Sequence, residues 1–133
     1  MTGSKILFDT WAWWEVLQGT AVGAILQRRY LDAPGVQVLT AAISLGELSA
    51  KLSTEGSEDS ISSAVASIRR ASIILDLSAE IAVEAGILGT RLRKRSRAAS
   101  LADGIVLATA RQNGARLVSD DRAFIGEADV SAE

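Results

Sequence analysis

Asp9, Glu47, Asp103, Asp120 and Asp121 are the residues of this chain whose types and placement could do chemistry. Asp9 ends the short apolar run Lys5-Ile6-Leu7-Phe8, and Asp120-Asp121 closely follow Arg116-Leu117-Val118. Glu47 and Asp103 sit inside apolar sequence, in Ile43-Ser44-Leu45-Gly46-Glu47-Leu48 and Leu101-Ala102-Asp103-Gly104-Ile105-Val106. An acid flanked in this way is expected to be partly buried, and a buried carboxylate needs a partner or a metal. Carboxylates that converge without a compensating cation repel one another. A divalent cation removes that repulsion. Mg²⁺ takes only a few carboxylates, keeps several waters and orients phosphate oxygens. It also activates water for in-line attack on phosphorus. Such a cluster suits metal-dependent phosphodiester hydrolysis.

Each acid also has a simpler reading. Ser44 to Glu47 and Ser100 to Asp103 both match the capping box, a Ser three residues before an acid. An acid in a first helical turn complements the helix dipole, and an acid after a strand is a common loop residue.

Absences narrow the chemistry further. The chain has no cysteine and no histidine. Disulfides, thiolate zinc sites, Ser-His-Asp triads and HExxH zinc sites are therefore excluded. Any metal must be held mainly by oxygen, which favours Mg²⁺, Mn²⁺ or Ca²⁺.

The elements that must position these acids are legible in outline. A length of 133 residues fits one domain spanning 1–133. Hydrophobic residues make up 48% and charged residues 23%, as in an ordinary globular protein. The net charge of -2 argues against a globally basic nucleic-acid wrapper but not against a local basic patch. Lys5–Phe8, Val36–Leu39, Ser72–Leu77 and Arg116–Val118 are short apolar runs that read as buried strands. Between them lie stretches of helical spacing: one or two helices from Thr10 to Leu26, then Ala41–Leu52, Ile61–Arg70, Ser78–Arg93 and Ser100–Gln112. The tail from Phe124 is weakly patterned. This alternation predicts an α/β layer fold with a parallel sheet. Ligand sites in such sheets lie beyond the carboxyl ends of the strands, so Asp9 and Asp120-Asp121 point to the same edge. The longest charge-free run, Ala33 to Gly46, is too short to span a membrane. Asp9 interrupts the chain before a signal-peptide core forms, so a soluble, cytoplasmic protein is expected.

Two further features invite function. Arg91, Arg93, Lys94, Arg95 and Arg97 form a basic run with no acid among them. They read either as a solvated helix end or as a phosphate-binding patch giving salt-sensitive affinity for RNA. Trp11, Trp13 and Trp14 follow Asp9 closely. Core packing, stacking on an unpaired base and contact with a partner are all open to them.

Taken in order, Ile6-Leu7-Phe8-Asp9-Thr10, Ser44-Leu45-Gly46-Glu47-Leu48, Ala102-Asp103-Gly104-Ile105-Val106-Leu107-Ala108-Thr109-Ala110 and Leu117-Val118-Ser119-Asp120-Asp121-Arg122-Ala123-Phe124 resemble the four acidic motifs of PIN-domain ribonucleases. The length and spacing are most similar to the VapC toxins of toxin–antitoxin pairs, over about Lys5 to Phe124. The resemblance implies a three-layer α/β/α fold with a short central parallel sheet and an endoribonuclease dependent on Mg²⁺ or Mn²⁺. It carries Asp9, Glu47, Asp103 and Asp121 over as the acidic quartet, with Thr10 and Ser119 supporting carboxylates or water by hydrogen bonds. Ala123 stands where the family's last motif usually has a second acid, and Asp120 fills a variable place, so either Asp120 or Asp121 could face the metal. Strand alternation would send the two to opposite sides. The resemblance further implies an RNA substrate, a homodimer and a VapB-like antitoxin whose C-terminal segment occupies the acidic groove. The rival readings are a PIN-like RNA-processing nuclease without an antitoxin and a non-catalytic RNA-binding module.

Overall fold

The computed structural model describes residues 3–127 and 130–132. Five strands, β1 (Ser4–Phe8), β2 (Val36–Ala41), β3 (Ile73–Leu75), β4 (Arg116–Ser119) and β5 (Val130–Ala132), form one sheet in the order β3-β2-β1-β4-β5. Every adjacent pair is parallel. The first four strands coincide with the apolar runs of the sequence. β5 lies in the tail, where three residues are too few to carry a periodic signal.

The helices are α1 (Thr10–Gln18), α2 (Ala21–Leu26), α3 (Ala42–Thr54), α4 (Ile61–Ala71), α5 (Ala79–Arg95) and α6 (Leu101–Gln112). α2 runs on into a wide turn over Gln27–Leu31, closed by the Asp32 amide on the Gln27 carbonyl at 2.8 Å. Alternation along β1 divides the core. Leu7 faces α5 and α6, joining Leu88, Leu92 and Leu107. Ile6 and Phe8 face the other way, joining Trp13 of α1, Leu26 of α2, Leu48 of α3 and Ile68 of α4. The result is three layers with a two-sided buried sheet, which is why its strands read as unbroken apolar runs. No helix among the described residues is long and apolar enough to cross a membrane.

The strand order places a switch point at the centre. From β1 the chain builds outward through β2 and β3, then returns to add β4 on β1's other side. β1 and β4 are in register, with Leu7 opposite Leu117 and Phe8 opposite Val118. Their carboxyl ends are therefore side by side, where open α/β sheets place ligands.

α5 and α6 approach closely because glycine stands at the crossing. A methyl group on Gly104 would lie 2.3 Å from the Ala85 carbonyl oxygen and 2.9 Å from the Gly89 nitrogen. In an exposed helix, Gly→Ala gains about 1 kcal/mol. Here the obstacle is backbone, and overpacking of a dense core costs roughly 1–3 kcal/mol or more. Gly104→Ala is thus expected to destabilise the protein and lower its melting temperature by several degrees, as followed by circular dichroism. An unchanged or raised melting temperature would mean that the two helices separate freely.

Candidate functional site

Asp9 leaves the end of β1 and immediately caps α1, its Oδ1 accepting the Ala12 amide at 2.8 Å. The hydroxyl of Ser119, at the end of β4 beside it, also hydrogen-bonds this carboxyl. Asp9 is buried, at 8% exposure. Burial first, and then the nearby charges of Asp120 and Asp121, push its carboxyl up to about 7 against the lowering by Ser119 and the Ala12 amide.

Asp103 completes a capping box at the start of α6. Its Oδ2 accepts the Ser100 amide at 2.8 Å, and its own amide donates to the Ser100 hydroxyl at 3.3 Å. Burial raises the Asp103 pKa, the Ser100 amide opposes this, and the charge of Asp121 adds to it.

The second predicted capping box does not form. α3 begins one turn earlier, with Ala41 as its N-cap, so Ser44 lies inside the helix. The Ser44 hydroxyl is buried without a hydrogen-bond partner among the described residues. Glu47 is exposed rather than partly buried, which corrects the expectation from its apolar flanks. Freed from capping, it accepts the Thr10 hydroxyl at 2.5 Å, a bond that ties α3 to the start of α1.

β4 ends at Ser119, so the pleat that would have separated Asp120 from Asp121 has already ended. Both acids line the same cleft, which corrects the expectation that they face opposite ways. The Ser119 hydroxyl accepts the Asp121 amide at 3.0 Å. Asp121 caps the short 3-10 turn Arg122–Phe124, its Oδ1 accepting the Ala123 amide at 2.9 Å. Asp120 is exposed, yet its pKa is raised, by partial desolvation first and then by the charges of Asp121 and Glu15, against its own backbone amide.

These pieces meet in one cleft of about 220 Å³ lined by Asp9, Thr10, Glu47, Asp103, Asp120 and Asp121, with Trp11, Val106 and Phe124. Among the described residues, no lysine or arginine lines it. Among the described residues, no group of three or more acids is arranged to hold a metal ion directly. The donors are all oxygen, and the space admits several waters at about 30 Å³ each. That combination fits a hydrated hard cation, bound through one or two carboxylates and otherwise through water. Asp121 is the common neighbour, acting electrostatically on Asp9, Asp103 and Asp120. Glu15, which lies outside the acidic motifs, acts electrostatically on Asp120. Its place one helical turn after Trp11, on the same face of α1, was the available signal in the sequence.

The tryptophans divide. Trp13 is core, packing edge-on to Phe8 at 5.0 Å and donating to the Thr40 hydroxyl at 2.9 Å. Trp11 lines the acidic cleft. Trp14 lies under the Lys51 ammonium, 3.9 Å from the ring centroid. None of the basic run lines the cleft. Arg91 and Arg95 bind Glu127. The Arg93 Nε donates to the Ala99 carbonyl at 3.3 Å. Lys94 and Arg97 are exposed.

The family model described as PIN domain matches residues 6–128. No curated protein sequence gives a significant match. Among solved structures, a toxin–antitoxin complex from Klebsiella pneumoniae aligns at 22% identity and TM-score 0.71, covering 95% of both chains. VapBC2 from Rickettsia felis bound to a promoter DNA fragment aligns at 17% identity and TM-score 0.75, covering 97% of both. The sarcin-ricin loop cleaving toxin VapC20 from Mycobacterium tuberculosis aligns at 22% identity and TM-score 0.72, covering 94% of this chain and 96% of that one. At these identities the likeness is one of fold.

The state of Asp9 sets a pH dependence. Its carboxyl rises from an ordinary 3.8 to about 7, so the folded state favours the proton. The associated stability is fully present below about pH 4 and is lost as pH rises through 7. The shift corresponds to roughly 4 kcal/mol for the metal-free protein. Asn caps a helix as well as Asp. Asp9→Asn should therefore melt higher than wild type at pH 8, match it near pH 3, and flatten the profile between. Equal pH profiles for the two proteins would mean that Asp9 is not held near neutrality.

Proposed function

The chain belongs to the PIN domain family, and from that membership we propose that it is a divalent-metal-dependent endoribonuclease acting as the toxin of a toxin–antitoxin pair. The observation that carries the reading is the convergence of Asp9, Glu47, Asp103, Asp120 and Asp121 on one cleft that no described lysine or arginine lines. Mg²⁺ or Mn²⁺ bound there supplies Lewis-acid stabilisation of charge on a phosphodiester. Asp9, Glu47, Asp103 and Asp121 would hold it, one or two directly and the others through water, with Asp120 as a further acid of the same cleft.

Each residue's share follows from its contacts. Asp9, Asp103 and Asp121 each commit one oxygen to a backbone amide of their own turn, which fixes the carboxylate in space. Among the described residues the Oδ1 of Asp103 accepts no hydrogen bond, so it is available to a water or an ion. Thr10 locks Glu47, and Ser119 orients both Asp9 and the Asp121 amide. One of these fixed carboxylates takes the proton from the attacking water. Trp11, at the cleft wall, offers a ring face to an unpaired base of the RNA. Lys94 and Arg97, with Arg93 beside them, are the members of the basic run proposed to meet phosphates. Arg91 and Arg95 share that surface while holding Glu127. A homodimer, a VapB-like antitoxin reaching the acidic groove and a cytoplasmic setting complete the proposal.

The central test is RNA cleavage with Mg²⁺, Mn²⁺ or EDTA. Wild type should cleave only with metal. Asp103→Asn keeps an acceptor for Ser100 and should lose at least about a hundredfold in rate while still folding. A folded Asp103→Asn protein with wild-type cleavage would leave Asp103 as a helix cap and nothing more.

The basic surface makes a separate prediction. Each lost phosphate contact lowers the slope of log affinity against log salt by about 0.7 for single strands. Lys94→Gln with Arg97→Gln should therefore weaken RNA binding and flatten the slope by up to about 1.4. Cleavage at saturating RNA should stay near wild type, because uniform binding leaves the barrier from the bound state unchanged. Unchanged affinity and slope would place the RNA path elsewhere.

A further inference from the structure

We propose that Glu127 is a positioning residue for the acidic cleft: gripped by arginines of α5 and α6, it fixes the turn that carries Asp120 and Asp121 against the helix that carries Asp103. The inference rests on the nuclease reading above and adds to it a residue outside the acidic motifs.

The geometry is that of a clasp. The Glu127 side chain is 6% exposed and meets Arg91, Arg95 at 2.7 Å and Arg111 at 2.6 Å. Arg95 uses a second nitrogen on the Ile125 carbonyl, at 3.0 Å. Gly126, between them, has φ 95°, and a Cβ there would lie 3.0 Å from the Arg95 guanidinium. The backbone thus bends so that one arginine holds both a carbonyl and a carboxylate. Burial alone would raise the Glu127 pKa, but hydrogen bonds from Arg95 and Arg91 and the charges of Arg91 and Arg111 hold it below the usual range. The carboxylate is the enclosed member of the cluster, while the Arg91, Arg95 and Arg111 side chains keep 49%, 38% and 29% exposure and so remain partly hydrated if it is lost.

The site needs such a fastening. After Ser119 the two acids have left the sheet, and the 3-10 turn Arg122–Phe124 is a three-residue element with poor hydrogen-bond geometry of its own. It is anchored upstream by β4 and internally by buried Phe124. Downstream, the Glu127 amide donates to the Phe124 carbonyl at 3.0 Å, and the Glu127 carboxylate then locks the exit. The partner helices matter as much as the bonds. Arg111 lies on α6 with Asp103, eight residues along and about 12 Å away at 1.5 Å per residue. Glu127 therefore couples the placement of Asp121 to the helix carrying the acid on which Asp121 acts. It also assigns Arg91 and Arg95 a structural task that their sequence does not reveal.

The test compares wild type, Glu127→Gln, Glu127→Asp and Arg95→Lys. Lys keeps the charge but loses the planar fork that reaches carboxylate and carbonyl together. Folding is checked by circular dichroism, Mn²⁺ affinity by calorimetry without RNA, turn order by amide hydrogen exchange at Ala123 and Phe124, and cleavage by kcat and KM. Glu127→Gln should remain folded, exchange at those amides at least about tenfold faster, and bind Mn²⁺ about 10–100-fold more weakly. Its kcat should fall in the same range with KM for RNA within about twofold, and Glu127→Asp should recover part of each loss. If Glu127→Gln does not fold, Arg95→Lys decides by the same readouts. A folded variant with wild-type exchange, Mn²⁺ affinity and kcat overturns the proposal. A wild type that neither binds Mn²⁺ nor cleaves RNA overturns the nuclease reading instead. Exchange at the turn then still judges the clasp, faster exchange keeping it and unchanged exchange removing it.

Discussion

Negative charge gathered at the meeting of two strand ends is the constraint on which the rest of this structure depends. β1 and β4 lie side by side at the sheet's switch point, so Asp9 and the acids after Ser119 share one edge. Asp9 is buried there with no lysine or arginine among the described residues lining its cleft, and burial moves its carboxyl to about 7. Burial disfavours the charged form, and neighbouring like charges add to the penalty. The protein tolerates this local cost because the sheet and its two helical layers over-determine the position of the chain. A ligand that supplies positive charge would relieve it, which links the fold to the proposed chemistry in the simplest way.

Capping and function turn out not to be alternatives. Asp9, Asp103 and Asp121 each stand at the start of a helical turn and accept one of its free amides. The amide fixes one oxygen of each carboxylate at the wall of the cleft. A carboxylate held by its own backbone loses little further freedom on binding an ion, so the site is organised before any ligand arrives. Glu47 reaches the same end differently, through the hydroxyl of Thr10 on another helix.

The opposite charge is kept close but out of the cleft. Arg91, Arg95 and Arg111 gather on Glu127 behind the turn that carries Asp121. Guanidinium groups lining the cleft would neutralise the acids and leave no place for a metal. Placed behind the turn, they secure it, while the exposed Lys94 and Arg97 remain at the surface. The glycine crossing of α5 and α6 serves the same layout, since it brings the helix of the basic run and the helix of Asp103 to near backbone contact.

The sequence by itself determined the layers and the acids that come to line the cleft. A two-sided buried strand must be apolar throughout, so four short runs announced the sheet, and helical spacing announced the covering layers. Acids at the strand ends and in first helical turns then followed from chain position alone, because strand ends and helix starts are local facts. What depended on distant parts of the chain was decided only by the tertiary structure. Ser44 and Glu47 match a capping box, yet α3 starts at Ala42 because β2 extends to Ala41 and hands the chain directly to the helix. Asp120 and Asp121 face one cleft because β4 stops at Ser119, a limit set by pairing with β1 and β5. The basic run looked free because its main acidic partner, Glu127, lies more than thirty residues from Arg91 and Arg95. Local pattern reports which way a side chain leaves its own backbone; only the fold reports what it meets there.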